Sequence, residues 1–257
     1  MPFLGMKSIG DKILTHFFMW NDFDTKRKLK IEKEITNKEK NKKAILFFPF
    51  WTGKSSIYKG LAKKFPDYTL VFYDYPNEVL SEDVDVSIKY LKEIIDDATE
   101  LIKQLKKEKY KEIILIGSSL GSNIAIKLST ISEVDKVIVN MVDRTLAKEI
   151  FYSPALKKLK KKLQRHKFTL QKLDKIYDFV STENNIHLIK NKKNIKFLIF
   201  ESKTDIFCTL DELEPVLNKF KKNKIHYRLK INKFFGHILS IYKNLIFNKP
   251  IVNFIKE

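Results

Sequence analysis

Residues 113–121 read IILIGSSLG and form the most informative segment of the chain. Its first four residues are typical of a short buried strand, and residues 123–129 are typical of a helix. Gly117 and Gly121 lack a Cβ, so a strand and a helix that meet there can pass closely. The pattern therefore predicts a sharp strand–turn–helix, in which the Ser119 hydroxyl projects from the edge of a sheet.

The rest of the chain alternates short apolar segments with amphipathic ones, which predicts an α/β fold with a doubly wound, mainly parallel sheet. Residues up to about 43 are expected to supply a helix and one or two antiparallel edge strands, with alternation over 28–35. All 257 residues are assigned to a single domain. The predicted strands cover 44–48, 68–73, 113–116, 136–140, 195–200 and 225–231, and the predicted helices cover 57–65, 86–106, 123–129, 210–220 and 238–247.

One segment, residues 143–192, is too long for a single crossover helix. Its leucines recur at helical spacing, and lysines at 157, 158, 160, 161 and 162 stand between them. We predict a helical insertion that covers the active edge of the sheet as a lid. A basic helix of this kind can also associate weakly with an anionic membrane surface, although a solvated lysine face over ordinary packing is the simpler interpretation.

Basic residues outnumber acidic ones, and the formal net charge is +19. Only four of the basic residues are arginine, the residue best suited to forked contacts with phosphate and guanine. Lysine is spread along the whole chain, so we expect no specific nucleic-acid partner. A single cysteine, Cys208, and an N-terminus without a secretory signal pattern lead us to expect a cytoplasmic protein.

Two further residues complete a candidate catalytic set with Ser119. Asp205 follows a predicted strand by a few residues, and His237 follows the next predicted strand, directly before a helix. Loops at the carboxyl ends of parallel strands meet at one edge of the sheet, so these side chains are expected near Ser119. A serine hydroxyl is a weak nucleophile and needs a base such as histidine, itself oriented by a carboxylate. Asp143, after another predicted strand, is the alternative acid, and Glu201 is a weaker third choice.

The pentad at 117–121, the order Ser119, Asp205, His237 and the pair Gly236-His237 resemble the α/β-hydrolase superfamily of serine hydrolases, which includes esterases and lipases. The resemblance implies that Ser119 is the nucleophile, His237 the general base and acid, and Asp205 the residue that orients the imidazole. The implied reaction is cleavage of a small-molecule carboxylic ester or thioester through an acyl-enzyme. The alternatives are an acyltransferase with the same residues and a non-catalytic binding protein of the same fold.

The resemblance also implies two backbone N–H donors for the developing oxyanion, one from Leu120 and one from the loop after the first parallel strand. Many family members carry His-Gly in that loop, followed by the donor. This chain has Pro49-Phe50 instead, so Trp51 takes the donor position and Phe50 is the alternative. We expect neither a cofactor nor a metal site, because the histidines and Cys208 show no ligand spacing.

Overall fold

A seven-stranded sheet organises the part of the chain that the computed structural model describes, which comprises residues 31–37, 41–190 and 192–257. The strands, numbered along the chain, are β1 (Glu32–Thr36), β2 (Lys43–Phe48), β3 (Thr69–Asp74), β4 (Glu112–Ser118), β5 (Lys136–Asn140), β6 (Lys196–Ser202) and β7 (His226–Asn232). Their order across the sheet is β1-β3-β2-β4-β5-β6-β7. Strand β1 runs antiparallel to β3, and the other neighbouring pairs are parallel. The predicted mainly parallel sheet is confirmed.

Helices connect the strands on both faces of the sheet. The predicted helix over 57–65 is shorter than expected, because it begins as the 3-10 turn Ser55–Tyr58 and continues only to residue 62. None of the described helices is long and apolar enough to cross a membrane. The described α-helices are α1 (Lys59–Ala62), α2 (Val84–Lys107), α3 (Leu120–Ile131), α4 (Leu146–Tyr152), α5 (Lys157–Arg165), α6 (Leu170–Ile176), α7 (Thr182–Asn185), α8 (Leu210–Lys222), α9 (His237–Ile246) and α10 (Lys249–Lys256).

Two hydrophobic cores lie on opposite faces of the sheet, because the side chains of a strand point alternately to either face. In β2, Leu46 lies in the core that includes α2, α3 and α8. Its neighbour Phe47 lies in the core that includes α1, α9 and α10. Both faces are therefore covered, as a parallel sheet requires. Because helices cover both faces of the sheet, a functional site is expected in the loops at the ends of the strands.

The segment between β5 and β6 is helical, as predicted, and contains α4 to α7. Its leucine face is used inside the protein, since Leu159, Leu163 and Leu173 are buried in the same core as α2 and α3. Only the lysine face is therefore available to an anionic surface. The role of this segment as a lid stays a prediction. The exposed lysines of α5 are Lys157, Lys158, Lys161 and Lys162.

The edge strand near the N-terminus was predicted from the sequence, whereas the last helix was not. The predicted N-terminal helix and the first part of the 28–35 strand lie outside the described residues. The remainder of that strand forms β1, the predicted antiparallel edge strand. Helix α10 was not predicted; its first turn contains Pro250, at a position where a helix needs no N–H partner. It buries Ile251, Phe254 and Ile255 against the sheet's second core.

Candidate active site

The pentad forms a sharp turn between β4 and α3, as the sequence predicts. Ser119 has φ 50° and ψ −120°, a conformation that a residue with a Cβ rarely adopts. Such strain costs on the order of 1–3 kcal/mol and persists only where neighbouring contacts hold it. The Ser119 amide donates to the carbonyl oxygen of Asn140 on β5 at 2.8 Å, and the Ser122 hydroxyl donates to the same oxygen at 3.0 Å. The turn is thereby anchored to the sheet with Ser119 at the carboxyl edge.

Gly117 and Gly121 are required by close packing. A Cβ on Gly117 would lie 2.2 Å from the carbonyl oxygen of Gly121, and a Cβ on Gly121 would lie 2.1 Å from the carbonyl oxygen of Phe48. Both contacts are with backbone atoms, which cannot turn aside as a side chain can. Phe48 ends β2. The serine turn therefore packs directly on the loop that carries the second predicted oxyanion donor.

We expect Gly121→Ala to destabilise the fold by about 3 kcal/mol or more, because overpacking costs roughly 1–3 kcal/mol even where side chains can adjust. Gly60→Ala is the matched control, since Gly60 is exposed in α1 and an added Cβ meets no heavy atom within 4 Å. That variant should gain about 0.5–1 kcal/mol. Urea unfolding of both proteins measures the contrast. Wild-type stability in Gly121→Ala would contradict the packing described above.

Asp205 and His237 form a buried pair at the same edge of the sheet. Asp205 Oδ2 lies 2.6 Å from His237 Nδ1, and the two side chains are 0% and 2% exposed. The other carboxylate oxygen accepts the amides of Phe207 at 2.7 Å and Cys208 at 3.0 Å. The Phe207 ring also lies against the imidazole, with ring centroids 4.6 Å apart. Both oxygens of the carboxylate are thus engaged, which fixes the orientation of the imidazole.

Asn140 connects the serine turn to the histidine helix. Its backbone oxygen accepts the Ser119 amide, and its side-chain oxygen accepts Asn244 Nδ2 at 3.1 Å. Asn244 belongs to α9, the helix that begins at His237. The structure therefore brings the three predicted residues to one edge of the sheet, each just after a strand: Ser119 after β4, Asp205 after β6 and His237 after β7.

The two other carboxylates considered from the sequence have different partners. Asp143 accepts a hydrogen bond from Cys208 Sγ at 2.8 Å. Burial raises the pKa of the Cys208 thiol well above its usual value, so the thiol keeps its proton and donates. Glu201 accepts the Val142 amide at 2.6 Å. Asp205 is the carboxylate that holds the imidazole Nδ1.

Asp205, Cys208 and His237 each offer an atom that can bind a metal, and these atoms lie within 4.8 Å of one another. Residue spacing does not reveal this group, because folding brings its members together. Nδ1 of His237 is already engaged by Asp205 at 2.6 Å. A metal would also need a Cys208 thiolate, which burial and the nearby carboxylates disfavour. The arrangement fits a hydrogen-bonded acid–histidine pair better than a metal centre.

The predicted oxyanion donors lie on the two segments that meet at the serine turn. Leu120 is the first residue of α3, and its amide has no hydrogen-bond partner among the residues that the structure describes. The amide of Phe50, the alternative donor, has none in the described ranges either. The Trp51 indole donates to a main-chain oxygen at 2.6 Å, which fixes the side chain. The Gly53 amide donates to the Phe50 carbonyl at 2.8 Å and closes the loop into a turn.

No protein-family model and no curated protein matches the chain. Solved structures do match it. The acylaminoacyl peptidase of Pyrococcus horikoshii has a TM-score of 0.66 at 14% identity; the match covers 88% of this chain but only 39% of the peptidase. The carboxyl esterase of Bacillus coagulans has a TM-score of 0.61 at 14% identity, covering 88% of this chain and 93% of the esterase. An α/β hydrolase from a sediment metagenome of the Mar Chica lagoon has a TM-score of 0.54 at 18% identity, covering 90% and 97%. The chain has the α/β-hydrolase fold.

Behind the acid–histidine pair, this α/β-hydrolase fold contains further carboxyl groups, of which Asp143 and Glu201 are buried and Glu149 is partly buried. Burial raises the pKa values of Asp143, Glu149 and Glu201, and the negative charge of Asp205 raises each of them further. Glu201 is 0% exposed, and its Oε2 has no hydrogen-bond partner in the part of the chain that is described. Because an isolated buried charge is costly, burial favours the neutral form of Glu201.

We expect Glu201→Gln to stabilise the protein in alkaline buffer and to have little effect in mildly acidic buffer. Folding raises the pKa of this carboxyl above its unfolded value, near 4.5, so the folded protein binds more protons than the unfolded chain. The group therefore contributes fully to the free energy of unfolding below the unfolded pKa. This contribution is lost as the pH rises through the folded pKa. Glutamine cannot ionise and keeps an oxygen for the Val142 amide. Thermal unfolding across this pH range should show a gain on the order of 1–3 kcal/mol at the alkaline end. An effect of equal size at every pH would contradict a raised pKa for Glu201.

Two tyrosines that contact the site, Tyr58 and Tyr75, were not identified from the sequence. The hydroxyl of Tyr58 reaches the end of β2, and the hydroxyl of Tyr75 reaches the residue that follows it. An aromatic residue in a helical segment or after a strand usually belongs to a core, and both tyrosines are indeed buried. No sequence signal distinguishes these two tyrosines from ordinary core tyrosines, because their contact with the site depends on which carbonyl oxygen each hydroxyl bonds.

Proposed function

We propose that this protein is a serine hydrolase that cleaves a carboxylic ester or thioester through an acyl-enzyme on Ser119. The observation that carries the proposal is the buried 2.6 Å hydrogen bond between Asp205 and His237, at the sheet edge that also presents the strained Ser119. An oriented imidazole is what makes a serine hydroxyl reactive at neutral pH. Structures with a similar fold include an acylaminoacyl peptidase and esterases, which supports hydrolysis as the reaction class.

In the proposed mechanism, His237 accepts the Ser119 proton while the serine oxygen attacks the carbonyl carbon. The imidazolium then returns this proton to the leaving alcohol or thiol, and the acyl group remains on Ser119. Water, deprotonated by the same imidazole, attacks the acyl carbon, and the bond between this carbon and Ser119 Oγ breaks. The imidazolium returns the proton to Ser119 Oγ, and the carboxylic acid leaves. Asp205 keeps the imidazole in the correct tautomer and stabilises the imidazolium.

The oxyanion of the tetrahedral intermediate needs donors that are already in place when the charge develops. The Leu120 amide is the first proposed donor, and its lack of a partner among the described residues supports this role. Trp51 is the proposed second donor, with Phe50 as the alternative. Both candidates lie in the loop that packs against the serine turn through Phe48.

An apolar acyl group fits the surroundings of the site best. Trp51 and Phe207 are partly exposed aromatic residues; Trp51 lies in residues 49–53, the loop after β2 that we call the oxyanion loop, and Phe207 lies against His237. The leucines of α5 do not add to this surface, because they are buried in the core. We therefore propose a small-molecule substrate whose acyl chain lies along these aromatic side chains.

Purified protein treated with a fluorophosphonate probe tests the proposal, together with a series of nitrophenyl esters and acyl thioesters of increasing chain length. Labelling and turnover are expected, with kcat/KM rising as the acyl chain lengthens. Products formed mainly with an added alcohol or amine acceptor would favour an acyltransferase. Folded protein that neither reacts with the probe nor turns over any substrate would favour a non-catalytic binding protein.

A further inference from the structure

Two tyrosine hydroxyls hold the backbone of the loop that carries Pro49-Phe50. The hydroxyl of Tyr58 donates to the carbonyl oxygen of Phe48 at 2.8 Å, and the hydroxyl of Tyr75 donates to the carbonyl oxygen of Pro49. Tyr58 is 0% exposed and Tyr75 is 8% exposed. They belong to the two different cores, on opposite faces of the sheet. Consecutive carbonyl groups are thus held from opposite sides.

Tyr58 also reaches the serine turn itself. Its hydroxyl oxygen lies 2.8 Å from Ser118 Oγ, and Ser118 immediately precedes Ser119. A phenol has a single proton, which Tyr58 gives to the Phe48 carbonyl, so the Ser118 hydroxyl supplies the proton of the second bond. Burial raises the pKa of Tyr58, and the phenol remains neutral. One side chain therefore joins the oxyanion loop to the residue before the nucleophile.

The far end of the same loop is also fixed. Asp74, at the end of β3, accepts the Ser55 amide at 2.6 Å and the Ser55 hydroxyl at 2.8 Å. Between these anchors, Thr52 has φ 67°, which is unfavourable for a β-branched residue. A loop that is held at both ends can keep such a conformation, and the position of its amides is then well defined.

We infer that Tyr58 and Tyr75 are positioning residues that set the oxyanion loop at a fixed distance from the Ser119 turn. The inference rests on the proposed hydrolase function. Oxyanion stabilisation depends on donors that do not have to reorganise during the reaction. A displacement of about 1 Å can cost up to roughly a hundredfold in rate. Two short contacts to adjacent carbonyls limit such a displacement.

Tyr58→Phe and Tyr75→Phe test the inference, since each removes one oxygen atom and leaves the ring. We expect kcat to fall by about ten- to a hundredfold in each variant, with KM little changed. Ser118→Ala should cost less, and its effect should not add to that of Tyr58→Phe because both remove the same bond. Tyr68→Phe is the control, because its hydroxyl bonds Glu112 at 2.9 Å at the opposite end of β4. It should lower stability only.

Hydrogen exchange of the amides at 50–53 gives a readout that needs no activity. Faster exchange is expected in Tyr58→Phe and Tyr75→Phe, but not in Tyr68→Phe. Wild-type kcat in both site variants, or an equal loss of kcat in Tyr68→Phe, would overturn the inference. If the wild-type protein has no turnover, the proposed function fails, and hydrogen exchange alone then tests the positioning role. Unchanged exchange of the amides at 50–53 in both site variants would overturn that role. Faster exchange of these amides would support it.

Discussion

Replacing Ser119 with alanine is expected to lower kcat for ester hydrolysis on the order of a millionfold and to leave KM nearly unchanged. Under the proposed mechanism, the variant loses the atom that forms the acyl-enzyme, while the imidazole and the proposed oxyanion donors remain. Labelling by a fluorophosphonate should disappear with it. Because the substitution removes a single oxygen atom, we do not expect substrate binding to weaken.

Ser129→Ala is the control for this experiment, because Ser129 is also buried and its hydroxyl donates to a carbonyl oxygen within α3, that of Ile126, at 2.6 Å. Its kcat should equal that of the wild type. Stoichiometric labelling that persists in Ser119→Ala would remove Ser119 as the nucleophile. Activity lost equally in both variants would indicate damage to α3 rather than to the chemistry.

Asp205→Asn is expected to lower kcat about ten-thousandfold. An asparagine amide can donate to His237 Nδ1, which moves the imidazole proton to the other nitrogen and removes the base that Ser119 needs. Because Asp205 Oδ2 and His237 Nδ1 are only 2.6 Å apart, we expect kcat to depend strongly on this substitution. The kcat of the purified variant, measured over a range of pH, gives the size of the loss.

Asp143→Asn is the matched comparison, since it makes the same change in the other candidate acid. Asparagine keeps an oxygen that can accept the Cys208 thiol, which lies 2.8 Å from Asp143. We expect a change in kcat of less than about tenfold, because the imidazole stays oriented by Asp205. A large loss in Asp143→Asn together with a small one in Asp205→Asn would reverse the assignment.

The sheet and the serine turn could be predicted from the sequence because their determinants are local. Four apolar residues, the flanking Gly117 and the helical segment that follows together indicate a strand and the turn that ends it. Asp205 and His237 could be placed near Ser119 because parallel strands bring their carboxyl ends to one edge. The sheet topology alone predicts that these residues lie close together, so the individual side-chain contacts were not needed for the prediction.

The contacts of Tyr58, Tyr75 and Cys208 could not be predicted in the same way. Each depends on the rotamer and register of residues that are distant in the chain; Cys208 and Asp143, for example, are 65 residues apart. A tyrosine in a core looks the same in sequence whether its hydroxyl bonds a carbonyl of the site or a carboxylate elsewhere, as Tyr68 does. Which hydroxyl or thiol bonds which carbonyl or carboxylate near the site depends on how distant segments pack together. A local sequence pattern does not contain that information.

The links through Tyr58 and Asn140 have a consequence for folding kinetics. The bond between Tyr58 and Ser118 closes a separation of 60 residues, and the bond between Asn140 and Asn244 closes one of 104. Contacts at such separations form slowly, because the chain entropy of closing long loops is lost before the contacts stabilise the structure. The strained Ser119 conformation is anchored by the hydrogen bond from its amide to the Asn140 carbonyl oxygen, so we expect it to form together with this long-range structure. We therefore expect helices to form before Ser119, the proposed nucleophile, reaches its strained position at the sheet edge.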